Sequence, residues 1–108
     1  MSGNSIDLDQ AQEFLQKFAE DRDWVQFHTP KNLAMALAAE AGELLEIFQW
    51  LTPAESSHLD DGTVRSAVAD ELADILQYLI RLADVLDIQL NHALWEKLQR
   101  NADRFPSS

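Results

Sequence analysis

Residues 33–51 read LAMALAAEAGELLEIFQWL, and this stretch decides the fold. Leu33, Leu37, Leu44, Ile47 and Leu51 recur at helical spacing and line one face. Glu40 stands where that stripe should continue, and Glu43 follows at i+3, on the same side. Thr29-Pro30, just upstream, combine an N-cap with proline at the first helical position. The spacing therefore predicts a helix from Pro30 to about Leu51. A helix with one apolar face needs other helices to cover it.

Those helices are found on either side. From about Asp7 to Asp23, residues Ala11, Phe14, Leu15 and Phe18 share one face. Downstream, Thr52-Pro53-Ala54-Glu55 repeats the start signal as a capping box. It marks only a short turn, since Ser56, Ser57, Asp60, Asp61 and Gly62 read as loop. Val64, Val68, Leu72, Ile75, Leu79, Leu82 and Leu86 then predict a helix over roughly Val64–Leu86. Asp87 reads as the N-cap of a last helix that ends before Pro106, and the tail 106–108 is expected to fray. Gly and Pro are too scarce, at three each, for a turn-rich β fold. The reading is all-α, a single domain over residues 1–108.

The acids are the anomaly. Glu71 borders the stripe of the third long helix, and Asp74 lies at i+3. Two helices thus each carry an acid-x-x-acid pair beside the face that should be buried. Like charges about 4 Å apart repel by roughly 4 kcal/mol at an effective dielectric near 20. Desolvation adds to that cost. Protonation relieves it, and so does a divalent cation. Oxygen-only ligands are the set that hard Mg²⁺ prefers. Acid pairs at this spacing also occur on ordinary solvated faces. The case rests on there being two pairs along core-facing stripes.

Other groups gather around these acids. Asp23-Trp24-Val25-Gln26-Phe27-His28-Thr29-Pro30 concentrates aromatic and polar side chains in a loop. Trp50 closes the second helix, and Tyr78 lies at i+4 from Asp74. Singly, each aromatic fits packing; together, beside the acids, they suit stacking on a base. Lys97, Arg100, Asn101 and Arg104 share one face of the last helix. That face suits phosphates, and equally solvent or the helix C-terminus. His58 and His92 read as surface or packing residues.

Composition narrows the function classes. The formal net charge is −11, from 8 basic and 19 acidic residues. Such a surface repels phosphate backbones, which argues against nucleic-acid binding. A small phosphate-bearing ligand stays open, because bound cations reverse the local sign. With no cysteine there is no thiolate site or disulfide. No apolar run approaches the ~18 residues of a membrane span. Met1-Ser2-Gly3-Asn4-Ser5 lacks the features of a signal peptide, so the expected location is cytoplasmic. A domain of this size buries only a modest core, and pairing with a second copy would bury more.

Glu40-Ala41-Gly42-Glu43 and Glu71-Leu72-Ala73-Asp74, separated by 27 residues (71 − 43 − 1), resemble the E-x-x-E and E-x-x-D signature of the MazG-like all-α nucleoside triphosphate pyrophosphatases. Arg22-Asp23-Trp24, Gln26-Phe27-His28, the run Glu40 to Trp50, and Lys97, Asn101, Arg104 and Pro106 are similar to the dCTP pyrophosphatase branch. The resemblance covers roughly residues 10 to 106. It implies a MazG-like four-helix bundle completed by homo-oligomerisation, as a homodimer or homotetramer. Glu40, Glu43, Glu71 and Asp74 would hold Mg²⁺. Trp24, His28, Trp50 and Tyr78 would line the base and sugar pocket, with Lys97 and Asn101 also binding substrate. The implied reaction is NTP + H₂O → NMP + pyrophosphate, with Glu43 or Glu40 taking the proton of the attacking water. Animal members of the branch carry a histidine in the first helix where this chain has Leu15.

Two rivals remain. A di-iron carboxylate bundle needs a Glu-x-x-His on each of two helices. This chain has one, Glu55-Ser56-Ser57-His58, in a turn. A non-catalytic acidic helical interaction protein explains the charge and the amphipathic helices, but not the acids on two core-facing stripes.

Overall fold

The computed structural model describes residues 5–59 and 62–107, and among these every regular element is helical. Helix α1 spans Leu8–Asp21, α2 Pro30–Phe48, α3 Pro53–Ser56, α4 Gly62–Val85 and α5 Leu90–Arg104, with a 3-10 turn at Val25–Phe27.

Local chemistry explains the starts. Asp7 accepts from the Gln10 amide at 2.8 Å, while the Gln10 side chain accepts from the Asp7 amide. Thr29 accepts from the Asn32 amide, ahead of Pro30 at the first position of α2. Thr52 and Glu55 form the second reciprocal box, which opens a single turn of helix as the sequence suggested. These caps satisfy amides that the helix itself leaves unpaired.

The ends differ from expectation in an informative way. α1 stops at Asp21, and Asp23 sits in the left-handed region at φ 57°. The amide of Trp24 reaches the carbonyl of Ala19, and that of Asp23 the carbonyl of Glu20. α4 ends identically: Asp87 is at φ 55°, Ile88 bonds to Ala83, and Asp87 to Asp84. Both are Schellman closures with aspartate where glycine is usual. Asp87 therefore terminates α4 instead of capping α5, whose N-cap is Gln89. α2 ends at Phe48, short of Leu51, and Gly62 begins α4 instead of lying in the loop before it. Asp60 and Asp61, also read as loop, lie outside the described residues, as do residues 1–4 and 108 of the two termini.

α4 is the hub. It packs most extensively against α2, less against α1, and only lightly against α5. The fully buried apolar residues, Ala19, Leu33, Ile80 and Ala83, mark the junction of α1, α2 and α4. On α2 the expected stripe of Leu33, Leu37, Leu44 and Ile47 faces inward, and Leu51, just beyond the helix, is sheltered as well. On α4 the stripe divides. Val64, Val68, Ile75 and Leu82 are sheltered, whereas Leu72, Leu79 and Leu86 are exposed, with Leu76 beside them. α4 thus has two apolar faces, and only one is covered within the chain. Trp50, Leu94, Trp95 and Leu98 are exposed as well. The chain exposes 8428 Å², where a folded 12.2 kDa monomer exposes roughly 6,000 Å².

Candidate active site

The covered face of α4 meets α2 at the acids. Carboxylate oxygens of Glu40, Glu43 and Glu71 lie within 4.8 Å of one another. Glu43 is on the open side, while Glu40 and Glu71 are half-buried. Oε2 of Glu40 and Oε2 of Glu71 are sealed from solvent and accept no hydrogen bond. Unpartnered buried carboxylate oxygens are rare and expensive. The Glu71 carboxyl is pushed up to about 7, first by the neighbouring Glu40 side chain, then by desolvation, then by Glu43. Three hard oxygen donors, two of them without partners, fit a divalent cation.

Asp74 stands outside this tight group and joins Glu40 in the wall of an adjoining cavity of about 210 Å³. Leu15, Phe18, Trp24, His28, Leu33, Gln77, Tyr78 and Arg81 line the rest. The volume lies below the ~300 Å³ at which drug-sized pockets begin, so it suits a heterocycle rather than a whole nucleotide.

The loop that delivers Trp24 and His28 is tied at both ends. The Schellman closure of α1 turns the chain at Asp23. The Asn32 side chain then donates to the Phe27 carbonyl at 3.0 Å, holding the loop to the first turn of α2. Trp24 meets Phe18 edge-on at 5.7 Å, and the Arg22 guanidinium covers the same Phe18 ring at 3.4 Å. Trp24 still keeps 45% of its surface exposed, enough to offer a stacking face.

The structure thus gathers Trp24, His28 and Tyr78 around one cavity, beside the acids. Trp50, 87% exposed at the end of α2, does not line it, and neither do Lys97 and Asn101 on α5. The Glu-x-x-His of the di-iron rival is spent on local structure. Glu55 caps α3, and Nδ1 of His58 lies 2.8 Å from the Ala54 carbonyl. His92 is likewise on the surface, paired with Glu96.

One residue escaped the sequence reading. Arg81 is 4% exposed and lines the cavity. It interrupts the apolar run Leu79-Ile80-Arg81-Leu82-Ala83, and a charge in such a run is the signal that was available.

Residues 35–108 match the MazG-like family model. The chain belongs to the MazG-like family. It is 43% identical over 91 residues to dCTP pyrophosphatase 1 of Rattus norvegicus and 42% identical over 92 residues to that of Homo sapiens. These alignments cover 83% and 84% of this MazG-like chain but 54% of each relative, so the chain spans about half their length. Its fold also superposes on a crystal structure of a pyrophosphatase from Archaeoglobus fulgidus. The TM-score is 0.85 at 33% identity, and 99% of both chains is covered.

Proposed function

We propose that this MazG-like chain is a Mg²⁺-dependent nucleoside triphosphate pyrophosphohydrolase, converting a (d)NTP and water to the monophosphate and pyrophosphate. The observation that carries this reading is the pair of sealed, unpartnered oxygens on Glu40 and Glu71, beside Glu43. Without a cation that arrangement costs stability and gains nothing. The likeness to dCTP pyrophosphatases and to a solved pyrophosphatase supports the same chemistry. dCTP or a modified dCTP is the proposed substrate, in nucleotide-pool housekeeping in the cytoplasm. No described helix is long and apolar enough to cross a membrane.

Glu40, Glu43, Glu71 and Asp74 are the proposed Mg²⁺ ligands. When bound, the ion supplies charge neutralisation for the phosphates and a more acidic water. The chain's own residues do the rest. Trp24 and Tyr78 hold the base beside the acids, which fixes the α-phosphorus relative to the attacking water. Glu43, the most open of the three glutamates, is the proposed acceptor of that water's proton, with Glu40 as the other candidate.

The enzyme acts as a homodimer or homotetramer on this reading. A surface of 8428 Å², with Leu72, Leu76, Leu79 and Trp50 open to water, supports a second copy covering the outer face of α4. Trp50, Lys97 and Asn101 do not line the cavity of one chain, so their proposed part in substrate binding requires that second copy.

The test is product analysis. The purified protein is incubated with Mg²⁺ and each common dNTP and NTP, and nucleotides, pyrophosphate and orthophosphate are resolved. Monophosphate with equimolar pyrophosphate is expected, with turnover lost in Glu43→Gln. Orthophosphate as the product overturns the reading. So does the absence of turnover for every triphosphate, modified cytosines included, and the acidic interaction protein then replaces it.

A further inference from the structure

The hydrogen bonds of Arg81 go to Gln16, His28 and Asp84 and not to the acids, yet it is the one charged side chain buried to 4% exposure among the described residues. Its Nη1 donates to Gln16 and, at 3.2 Å, to Oδ2 of Asp84. Oδ1 of Asp84 is in turn held by Nε2 of Gln12 at 2.8 Å. Nε of Arg81 donates to Nδ1 of His28 at 2.9 Å. Residues from α1 and α4 thus hold the guanidinium so that one of its donors faces one atom of the loop. A buried ion pair is a poor way to stabilise a core, since apolar side chains of similar size do so equally well or better. The arrangement asks for another use.

The donor inventory supplies one. A guanidinium has only N–H donors and stays charged at any relevant pH. Nδ1 of His28 must therefore offer its lone pair, which places the ring proton on Nε2. Burial first, and Arg81 second, hold His28 below the ordinary imidazole range, consistent with a neutral ring. His28 lines the same cavity as Trp24 and Tyr78.

We propose that Arg81 is a positioning residue that locks His28 as an Nε2–H donor, so that the cavity selects a base presenting a hydrogen-bond acceptor, a ring carbonyl oxygen or an unprotonated ring nitrogen. This rests on reading the cavity as the base pocket. A base with a donor at that point would leave two N–H groups facing each other, and a polar site of this kind rejects the wrong edge more strongly than an apolar wall rejects an extra group.

The primary test needs neither metal nor nucleotide. Nitrogen-15 histidine spectra of the full chain distinguish the two neutral tautomers, and His58→Gln and His92→Gln variants assign the His28 signals. The unaltered chain is expected to show His28 with its proton on Nε2, and Arg81→Met to show a mixture of tautomers. A proton on Nδ1 in the unaltered chain, or one unchanged tautomer in Arg81→Met, overturns the proposal. If Arg81→Met fails to fold, the Arg81→Met, Asp84→Asn double variant removes both charges together and gives the same readout.

Kinetics form the second arm, using the triphosphate that the substrate panel ranks first. Arg81→Met is expected to raise KM roughly threefold to tenfold, the range of one hydrogen bond, with kcat within about twofold. A fall in kcat at unchanged KM overturns the assignment. If the unaltered chain hydrolyses no triphosphate, the proposed function fails, and the tautomer measurement alone decides the role of Arg81.

Discussion

The two faces of α4 have opposite fates. One carries Val64, Val68, Glu71, Ile75 and Leu82 against α2, and the chain covers it unaided. The other carries Leu72, Leu76 and Leu79, and the chain leaves it in water, with α5 making only light contact with α4. The covered face contains charge, whereas Leu72, Leu76 and Leu79 on the open face are apolar. That is the reverse of what stability alone would select. The inner face spends stability on a site, and the outer face keeps apolar surface that only another molecule can bury.

The sharpest way to break this contrast is on the inner face. Glu71→Gln is expected to lower kcat by at least a hundredfold, while raising the melting temperature of the metal-free protein by a few degrees. The carboxyl is raised by its neighbours, so its charge opposes folding, and the neutral amide removes that opposition. A variant that is both inactive and less stable without metal would mean that Glu71 is structural.

On the outer face, Leu76→Glu is expected to dissociate the proposed homo-oligomer to monomers in sedimentation velocity. In a lone chain an exposed substitution of this kind changes stability by less than about 0.5 kcal/mol. An assembly that survives the charge would place the contact elsewhere.

A smaller effect follows from pH. Glu71 titrates near 7 folded and near 4.5 unfolded, so between those values the folded state binds more protons. Stability of the metal-free protein therefore falls as pH rises from about 4.5 to 7 on this group's account. Mg²⁺ competes with that proton. The rise in melting temperature that Mg²⁺ gives should grow from pH 6 to pH 8, as thermal scans at fixed Mg²⁺ would show. A rise that is flat in pH would remove Glu71 from the ligand set.

The smallest effect concerns the turn from α4 to α5. Asp87→Gly relieves a left-handed aspartate at the end of α4 and is expected to raise stability by at most about 1 kcal/mol in urea unfolding. A loss would mean that the aspartate makes a contact in the assembly.

Much of this was legible in the sequence, and the exceptions share a cause. The acid pairs could be read because residue type, i+3 spacing and an interrupted stripe agree. The helix starts could be read because Thr-Pro and the capping boxes act locally. Asp87 misled because aspartate serves both as an N-cap and, less often, in the left-handed position after a helix, and only the backbone distinguishes them. Leu72 and Leu79 misled because α4 is apolar on two sides, and periodicity does not say which side the chain covers. Arg81 was passed over because its partners Gln16, His28 and Asp84 are brought together by three separate segments. Trp50, Lys97 and Asn101 were grouped with the pocket by resemblance, and a single chain does not bring them there.

Hydrolysis of the preferred triphosphate in oxygen-18-labelled water, with Mg²⁺ present, tests the central claim most directly. On the proposed mechanism, in which the acids on the inner face direct water to the α-phosphorus, the label is expected in the nucleoside monophosphate. Label in pyrophosphate or in orthophosphate would contradict it.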